Sequence, residues 1–458
     1  MKNHALILVA AIGMLTALAG GCRSEAGLSL YNSEFQQVVR QSSDRVFPAV
    51  VYLKVIREDL QGGKESAAAV TGSGVLISAD GELLTNFHVI DKAREIRCLL
   101  HDGSAFPAKI IGSDKDLDLA LLKLERPAGA PGLPFARLAA DRVIEGDFVM
   151  AMGAPWGLAR SVSIGIISCA RRYLPANGEY SLWYQTDASI SPGNSGGPLV
   201  NTRSEVVGIN TLGALTGGTL GFTIPSPVII AVLPRLREYG KVNWAWFGFR
   251  LQPLHDFDLN IYFNYTNGVM IAGTEPGSPA RRAGFLPHDR IIAIDGKSVT
   301  ALNREDLPEL RRELGLFPFD REVRFTVARN GETLELTAAP RAKGVVEGGE
   351  IAFPRWGFTA KEINRFDTPN LYFYCNEGVF VYGIDNFGNA VNARLNRHDI
   401  IKAVDGTPVA TLDELRAAYD RSLREIDRKN RISIDILRNG VPRRIVLDYL
   451  NDYNKEQP

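Results

Sequence analysis

The chain has 458 residues, of which 45% are hydrophobic and 23% are charged, and its formal net charge at pH 7 is zero. A chain of this length exceeds one ordinary core, so roughly two to four domains are expected. The balanced charge excludes a broad attraction to nucleic acid, and the composition is that of a globular protein. The 44 glycines favour a turn-rich β architecture over helical bundles.

The first residues have the features of an export signal. A positive start precedes an apolar run from Ala5 to Ala19, which is too short to span a membrane and is typical of a signal peptide. Small residues then lead to Cys22, an arrangement similar to the lipobox of bacterial lipoproteins, although Leu18 stands one position early. The similarity implies that residues 1–21 are removed and that Cys22 is lipidated. Plain signal cleavage and an uncleaved anchor are the alternatives.

Three cysteines remain, namely Cys98, Cys169 and Cys375. Their wide spacing gives neither a disulfide framework nor a metal-binding pattern, so each is expected to be a small buried hydrophobe. A Cys98–Cys169 disulfide is the alternative that the sequence leaves open.

Short β-type runs begin at about residue 45, after a polar segment at 22–44 that leads from the anchor. Gly, Asp, Asn and Pro separate the runs predicted as strands, which are 50–55, 74–78, 119–124, 148–152 and 206–210. Many short strands at this spacing predict an all-β barrel or sandwich. Residues 229–239 have helical spacing and are expected to close this region.

A repeat occupies the second half of the chain. Residues 268–299 align without a gap on residues 378–409, at an offset of 110. An Asn-Gly pair recurs at Asn330 and Asn439 between strand-like runs, which predicts a tight hairpin turn in each copy. Two copies of one module of about 100 residues explain this pattern.

Three segments carry the residues that nucleophilic catalysis requires: His88, Asp118 and Ser195. A serine hydroxyl needs an imidazole to take its proton and a carboxylate to orient that imidazole. Each signal alone has a structural alternative, namely a structural histidine, a solvated turn aspartate or a Gly-rich turn. The order His, Asp, Ser, with gaps of 30 and 77 residues, favours a catalytic triad.

The sequence around Ser195 is Gly-Asn-Ser-Gly-Gly-Pro. Gly193 tolerates a positive φ, so a tight turn here can direct the N–H groups of Gly193 and Ser195 inward as an oxyanion hole. Gly196 and Gly197 are expected to let a substrate backbone approach closely.

The region 45–240 resembles the protease domain of the HtrA (high-temperature requirement, Deg) family. The motifs that carry the resemblance are 71–75, 85–89, 118–120, 153–158, 185–188, 193–198 and 221–226. It implies a mostly β, chymotrypsin-like double barrel with the triad in the cleft between the barrels. Ser195 would be the nucleophile, His88 the general base and then acid, and Asp118 the orienting carboxylate. The N–H groups of Gly193 and Ser195 would bind the oxyanion.

The resemblance also implies a specificity pocket framed by Ile190, Asn210, Thr211 and Leu212. None of these residues is acidic, so a preference for small aliphatic residues before the cut is expected. Residues 171–184 correspond to a loop that senses PDZ ligands in the family. Arg171 and Arg172 are either relay residues of that loop or solvated surface charges.

Each repeat resembles a bacterial PDZ domain, at 241–341 and at 351–452, with a linker at 342–350. PDZ domains bind a chain end as an added strand and hold its carboxylate on backbone N–H groups of an apolar-Gly-apolar turn. Phe247-Gly248-Phe249 and Trp356-Gly357-Phe358 are the candidate turns. The alternative is that both are aromatic core with a turn glycine.

These patterns together predict an exported, lipid-tethered serine endopeptidase that needs no cofactor or metal. Its expected partners are unfolded or damaged exported proteins, peptide C-termini at the PDZ domains and the membrane, with no nucleic acid. The resemblance implies a homotrimer, with Tyr31 and Phe35 as candidate contacts. A chaperone or scaffold with minor proteolysis, and a signalling protease activated by one ligand, remain the rival hypotheses.

Overall fold

The computed structural model of the chain describes residues 34–154, 161–175, 178–213 and 220–453. The predicted signal peptide, Cys22 and Tyr31 lie outside these residues. Among the described helices, none is long and apolar enough to cross a membrane.

Two closed six-stranded barrels form the first half of the molecule, as the resemblance implies. The first barrel contains β1 (Val50–Asp59), β2 (Ser66–Leu76), β3 (Glu82–Thr85), β4 (Ala93–Leu99), β5 (Ala105–Asp114) and β6 (Leu119–Leu124). The second contains β7 (Phe148–Gly153), β8 (Ser161–Arg172), β9 (Trp183–Thr186), β10 (Pro198–Asn201), β11 (Val206–Gly213) and β12 (Gly221–Pro225). The strands close in the orders β1-β2-β3-β6-β5-β4 and β10-β11-β12-β9-β8-β7. Each predicted strand lies within or overlaps one of these strands.

In the described part of the chain, three α-helices flank the barrels: α1 (Glu34–Val46), α2 (Phe87–Ile90) and α3 (Ser226–Tyr239). The predicted helix at 229–239 is the greater part of α3, which has a proline in its first turn and ends at Gly240 with a φ of 70°. Both features are typical helix termini, because proline presets the first turn and glycine accepts the left-handed conformation. The buried face of α3 packs on the core that both barrels share.

Two PDZ-like β modules follow, here called the first module and the second module. The first contains β13 (Ala245–Trp246), β14 (Phe249–Gln252), β15 (His255–Asp256), β16 (Ile261–Tyr262), β17 (Val269–Thr274), β18 (Arg290–Ile294), β19 (Lys297–Ser298), β20 (Val323–Arg329), β21 (Glu332–Ala338) and β22 (Arg341–Ala342), with helices α4 (Pro279–Arg282) and α5 (Leu307–Gly315). The second contains β23 (Glu350–Phe353), β24 (Phe358–Glu362), β25 (Val379–Ile384), β26 (Ile400–Val404), β27 (Thr407–Pro408), β28 (Arg431–Arg438) and β29 (Val441–Asp448), with helices α6 (Pro369–Tyr374), α7 (Asn389–Asn392) and α8 (Leu412–Arg424).

The two modules repeat the same sheet with one difference at the edge. The first sheet runs β14-β17-β18-β20-β21, and the second runs β24-β25-β26-β28-β29 with β23 added outside β24. The predicted Asn-Gly hairpins are confirmed, because Asn330 and Asn439 each adopt a φ of 50° before a glycine of positive φ. This conformation is the one that a type I′ turn requires.

The three described cysteines are free, so the Cys98–Cys169 disulfide is not formed in this structure. Cys98 is fully buried in the core of the first barrel, where burial raises the pKa of its thiol to about 12. The prediction of a small buried hydrophobe is confirmed for Cys98.

Candidate active site

The pairing of β3 with β6 brings His88 and Asp118 together. The register sets Thr85 opposite Ala120, so α2, which follows β3, lies beside the turn that precedes β6. Asp118 has a φ of 53°, a left-handed conformation that aspartate tolerates better than most residues. Its backbone carbonyl accepts the N–H of Phe87 at 3.1 Å, which fixes the start of α2 against the turn.

The Asp118 carboxylate receives three donors. His88 Nδ1 lies 2.8 Å from Oδ2, and the backbone N–H of His88 donates to Oδ1 at 2.9 Å. The hydroxyl of Thr211 also donates to Oδ2. A hydrogen on Nδ1 leaves Nε2 unprotonated, which is the tautomer that a general base needs. The side chain of His88 is 46% exposed and that of Asp118 19%, so the imidazole faces the solvent and the carboxylate lies behind it.

Ser195 approaches this pair from the second barrel. Its hydroxyl donates to the backbone carbonyl of Thr211 at 3.2 Å. Thr211 therefore contacts Asp118 with its side chain and Ser195 with its backbone, and the three predicted residues converge in the cleft between the barrels. Catalytic hydrogen bonds in ligand-free sites are often misaligned and tighten only when substrate binds.

Among the described residues, two N–H groups of the turn around Ser195 have no protein acceptor. The N–H groups of Asn194, Gly196 and Gly197 donate to Ser191, Asn210 and Asn194. In the part of the chain that the structure describes, the N–H groups of Gly193 and Ser195 donate to no protein acceptor. Gly193 has a φ of 100°. The two predicted oxyanion donors are therefore the ones left available in this turn.

Ser73 on β2 is a site residue that the sequence analysis missed. Its hydroxyl donates to the Gly193 carbonyl at 2.6 Å and accepts the N–H of Ala154 at 2.9 Å, and its own N–H donates to the Ser195 carbonyl at 2.8 Å. Ser73 thereby holds both predicted oxyanion residues by their carbonyl groups. A fully buried serine between glycines in the 71–75 motif was the available signal.

Gly196 and Gly197 have a different role from the predicted one. A Cβ on Gly196 would lie 2.1 Å from the Ser73 carbonyl oxygen, and a Cβ on Gly197 would lie 2.2 Å from that of Met152. Both glycines therefore admit the protein's own backbone, which corrects the expectation that they make room for a substrate.

The four residues predicted to frame the specificity pocket separate in the structure. Asn210 is fully buried, and its side-chain amide donates to the Pro198 carbonyl at 3.1 Å. The Thr211 hydroxyl is engaged by Asp118. These contacts direct both side chains into the protein, which corrects their assignment as pocket walls. Ile190 is half-buried beneath Gly221, where a Cβ would lie 2.6 Å from Ile190 Cδ1. The side chain of Leu212 lies outside the described structure.

Asp114 ends β5, directly before the turn that contains Asp118, and no sequence pattern distinguishes it from the neighbouring aspartates. Its Oδ1 accepts the N–H of Leu117 at 2.9 Å, and its Oδ2 accepts the indole N–H of Trp244 at 2.8 Å. Burial, reinforced by the negative charge of Asp116, raises the pKa of Asp114 to about 7. This carboxyl group connects the turn that positions Asp118 to the start of the first module.

The candidate carboxylate-binding turns differ between the modules. In the first module, the N–H of Gly248 donates to no acceptor among the described residues, and a cavity of about 80 Å³ opens beside Phe247, Gly248 and Phe249. In the second module, the N–H of Gly357 donates to the carbonyls of Phe353 and Pro354, at 2.9 and 3.1 Å. The aromatic rings of both turns are core residues, as the alternative interpretation held. The second turn is engaged within the protein, which corrects its assignment as a carboxylate cradle.

Arg171 reaches the first module, where it contacts Asp306 at 3.1 Å and Glu309 at 3.4 Å. A relay residue requires a contact of this kind with the first module, whereas a solvated surface charge does not. Arg172 instead contacts Gln185 within the second barrel, at 2.9 Å.

Comparison with known proteins agrees with this geometry. The family described as trypsin-like peptidase domain matches residues 72–209, and the PDZ domain family matches residues 246–339 in the first module. A probable periplasmic serine endoprotease DegP-like from Marinomonas sp. (strain MWYL1) is 33% identical over 385 residues, which cover 81% of this chain and 77% of the relative. A protein of the same description from Ectopseudomonas mendocina (strain ymp) is 34% identical over 394 residues, which cover 83% and 80%.

Solved structures give the same result. The HtrA-type protease AlgW with tripeptide is 32% identical, with a TM-score of 0.58, and the match covers 67% of this chain and 97% of that one. The serine endoprotease from Yersinia pestis is 30% identical, with a TM-score of 0.51 and coverages of 66% and 97%. The chain is therefore a member of the HtrA family of trypsin-like serine endoproteases that carry PDZ domains.

Proposed function

We propose that this HtrA-type endopeptidase uses Ser195 as its nucleophile, His88 as the general base and then acid, and Asp118 as the carboxylate that orients the imidazole. The observation that carries the proposal is that Thr211 contacts both Ser195 and Asp118, and that Asp118 in turn pairs with His88. Among the described residues, the N–H groups of Gly193 and Ser195 beside them have no protein acceptor. A shared cleft of this kind is what acyl transfer from a peptide bond requires.

The chemistry follows from the placement of each group. Rotation of the Ser195 side chain away from the Thr211 carbonyl brings its hydroxyl to His88 Nε2, which takes the proton as the oxygen attacks the scissile carbonyl. The imidazolium then faces the Asp118 carboxylate, which stabilises its charge. The N–H groups of Gly193 and Ser195 donate to the oxyanion, and a preorganised donor of this kind contributes about 100- to 1000-fold in rate.

The substrates in this proposal are unfolded or damaged exported proteins, cleaved after small aliphatic residues. The descriptions of the relatives as periplasmic endoproteases support export. The half-buried, apolar Ile190 supports the small aliphatic preference. Cleavage of a peptide library chiefly after Lys or Arg would refute it.

The first module is proposed to bind peptide C-termini at Phe247, Gly248 and Phe249. The unengaged Gly248 N–H and the open edge of β14 support this role. The AlgW structures with a tripeptide and with a decapeptide show that a related HtrA-type protease takes short peptides. The second module is proposed to be a PDZ domain by fold.

Lipidation at Cys22 and a trimer remain parts of the proposal. The exposed pair of Phe35 and Phe148, whose ring centroids lie 5.1 Å apart, offers an apolar surface for contact between subunits. Mass spectrometry of the purified N-terminus and sedimentation analysis test these two points separately.

The deciding experiment is casein degradation by the wild-type protein and by Ser195→Ala, each with and without a decapeptide that ends in an apolar residue. Constitutive degradation that Ser195→Ala abolishes supports a quality-control protease. Degradation that requires the peptide supports a ligand-activated signalling protease. Suppressed aggregation without cleavage would favour the chaperone and refute the proposed chemistry.

A further inference from the structure

The two modules offer different edges to a ligand strand. In the first module, β14 pairs with β17 on one side, and its other side is the edge of the sheet. In the second module, the corresponding strand β24 pairs with β25 on one side and with β23 on the other. The chain's own segment therefore occupies the position at which a PDZ domain adds a peptide strand.

The terminal residue of β23 also fills the second groove. Phe353 is fully buried, and its ring lies 5.3 Å from that of Tyr419 on α8 and 5.7 Å from that of Trp356. The Phe353 carbonyl accepts the N–H of Gly357 at 2.9 Å. The chain itself therefore supplies both an acceptor for the N–H group that would bind a ligand carboxylate and an aromatic ring that fills the apolar pocket.

The tip of the β1–β2 hairpin, residues 60–65, packs on this module from the protease domain. The Thr359 hydroxyl donates to the Leu60 carbonyl at 2.7 Å in a buried contact. Arg397 donates to the Gln61 carbonyl at 2.8 Å, and the Gln61 amide donates to the Tyr382 hydroxyl at 3.0 Å. Specific donors of the second module thus satisfy the backbone of this tip.

Two glycines make the close approach feasible. A Cβ on Gly63 would lie 2.0 Å from the backbone nitrogen of Asp385, and a Cβ on Gly383 would lie 2.5 Å from the Gln61 carbonyl oxygen. Gly273, at the position equivalent to Gly383 in the first module, would bring a Cβ no closer than 3.8 Å to its neighbour, the Arg250 side chain. The close approach of the hairpin tip is therefore specific to the second module and is not a general feature of the repeat.

We propose that the second module is a receptor for the β1–β2 hairpin tip of its own protease domain, and that β23 closes its groove to free C-termini. The partner surface comprises Thr359, Tyr382, Gly383, Asp385 and Arg397. The module serves as an internal clamp, and the first module alone is open to peptides.

The test compares Gly383→Ala with the matched control Gly273→Ala in the full-length protein, by hydrogen exchange of the segment 58–66. Gly383→Ala forces the tip away, so exchange in that segment should become at least about tenfold faster, whereas Gly273→Ala should leave it at the wild-type rate. Equal exchange in the two variants would overturn the docking. Should Gly383→Ala fail to fold, Thr359→Val removes one buried donor at nearly constant volume. It should speed exchange about fivefold, which corresponds to one hydrogen bond. Wild-type exchange in Thr359→Val would likewise overturn the docking.

A second measurement tests closure of the groove. A fluorescein-labelled decapeptide that ends in Ala-Leu-Phe with a free carboxylate is titrated into the full-length Ser195→Ala protein, which cannot cleave it, and its stoichiometry is determined. One peptide per chain supports the closed second groove, and two per chain would overturn it. No binding would also agree with a closed second groove, but it would refute the peptide-binding role proposed for the first module, so the two proposals fail separately.

Discussion

The first and second modules share a sheet and a buried ion pair. Arg329 donates to the buried carboxylate of Asp289 at 2.6 Å, and Arg438 donates in the same way to that of Asp399 at 2.7 Å. These bonds support the fold of each copy. The shared features therefore explain why the repeat is visible in the sequence, and they do not determine what each module binds.

The aromatic residue four positions before the turn glycine packs in different places in the two modules. In the first, Trp244 leaves the module and stacks on Tyr180 of the second barrel, with ring centroids 3.9 Å apart, while its indole donates to Asp114. In the second, Phe353 stays and enters the groove beside Tyr419. The aromatic side chain upstream of the turn therefore fills the groove of the second module, whereas in the first module it lies outside the groove.

The modules also differ in how they are anchored to the protease domain. The linker before the second module carries Glu347, which pairs with Lys115 at 2.8 Å, and β23 carries Glu350, which pairs with Lys92 at 2.7 Å. Both carboxylates meet Lys361, whose side chain is only 6% exposed, at 2.9 Å. The second module is therefore held by a mostly buried charge network, whereas the first is held by Trp244 with its buried carboxyl partner and by the ion pairs of Arg171.

Replacement of Lys361 by methionine should have the largest effect on the difference in stability between the two modules. Although burial would lower the pKa of Lys361, hydrogen bonds to Glu350, Glu347 and Asp367 raise it, so the lysine is charged at neutral pH. Lys361→Met leaves three carboxylates without their common partner and should destabilise the second module by about 3–5 kcal/mol. Calorimetry of the second module's transition measures this loss.

The matched control for this prediction is Gln252→Met, at the equivalent position of β14 in the first module. Gln252 is half-buried and lies in no such cluster, so the change should stay within about 0.5 kcal/mol. Equal losses of stability from Lys361→Met and Gln252→Met would show that the charge network is not what anchors the second module differently from the first.

The two anchors should respond to pH in opposite directions. Burial raises the pKa of Asp114 from 3.8 to about 7. Its contribution to the free energy of unfolding is therefore complete below pH 3.8 and is lost as the pH rises to about 7. Burial opposes ionisation of Glu347 as well, but hydrogen bonds from Lys115 and Lys361 lower its pKa from 4.5 to about 2. Its contribution is complete above pH 4.5 and is lost as the pH falls toward 2.

Substitution of the two acids separates these effects. Asp114→Asn should flatten the decline in unfolding free energy between pH 4 and 7, which is at most about 1.4 kcal/mol per pH unit for one proton. Glu347→Gln should leave the slope between pH 4.5 and 7 unchanged and alter stability below pH 4.5. Calorimetry in a series of buffers gives both slopes, and an unchanged slope in Asp114→Asn would contradict the role of this carboxyl group.

The sequence predicted an all-β barrel or sandwich and the repeat because their signals are local, whereas the double barrel was implied by the resemblance to the HtrA family. Strand patterns, Asn-Gly turns and the motif around Ser195 each lie in one stretch of chain. It did not predict Ser73, Thr211 or Asp114 as supports of the site, because their roles depend on contacts between segments far apart in sequence, such as Ser73 with Gly193. For the same reason, Gly357 looked equivalent to Gly248, since nothing in the shared motif shows that a strand upstream covers one turn and not the other.

The smallest predicted effect compares the two turn glycines directly. Gly248 has a φ of 82°, and a Cβ there would lie 2.2 Å from Ser278 Cβ, so Gly248→Ala should distort the turn and weaken decapeptide binding by at least about 30-fold, or about 2 kcal/mol. Gly357 has a φ of 80°, and a Cβ there would lie 2.8 Å from the backbone nitrogen of Asn389. Gly357→Ala therefore introduces similar strain. The affinity for the peptide should nevertheless not change, because the N–H group of the second turn already donates to the Phe353 carbonyl. Fluorescence anisotropy with the labelled decapeptide measures the dissociation constant of each variant. If Gly357→Ala weakened binding as much as Gly248→Ala, the second groove would have to open in solution, and the contrast between an open and a closed module would not hold.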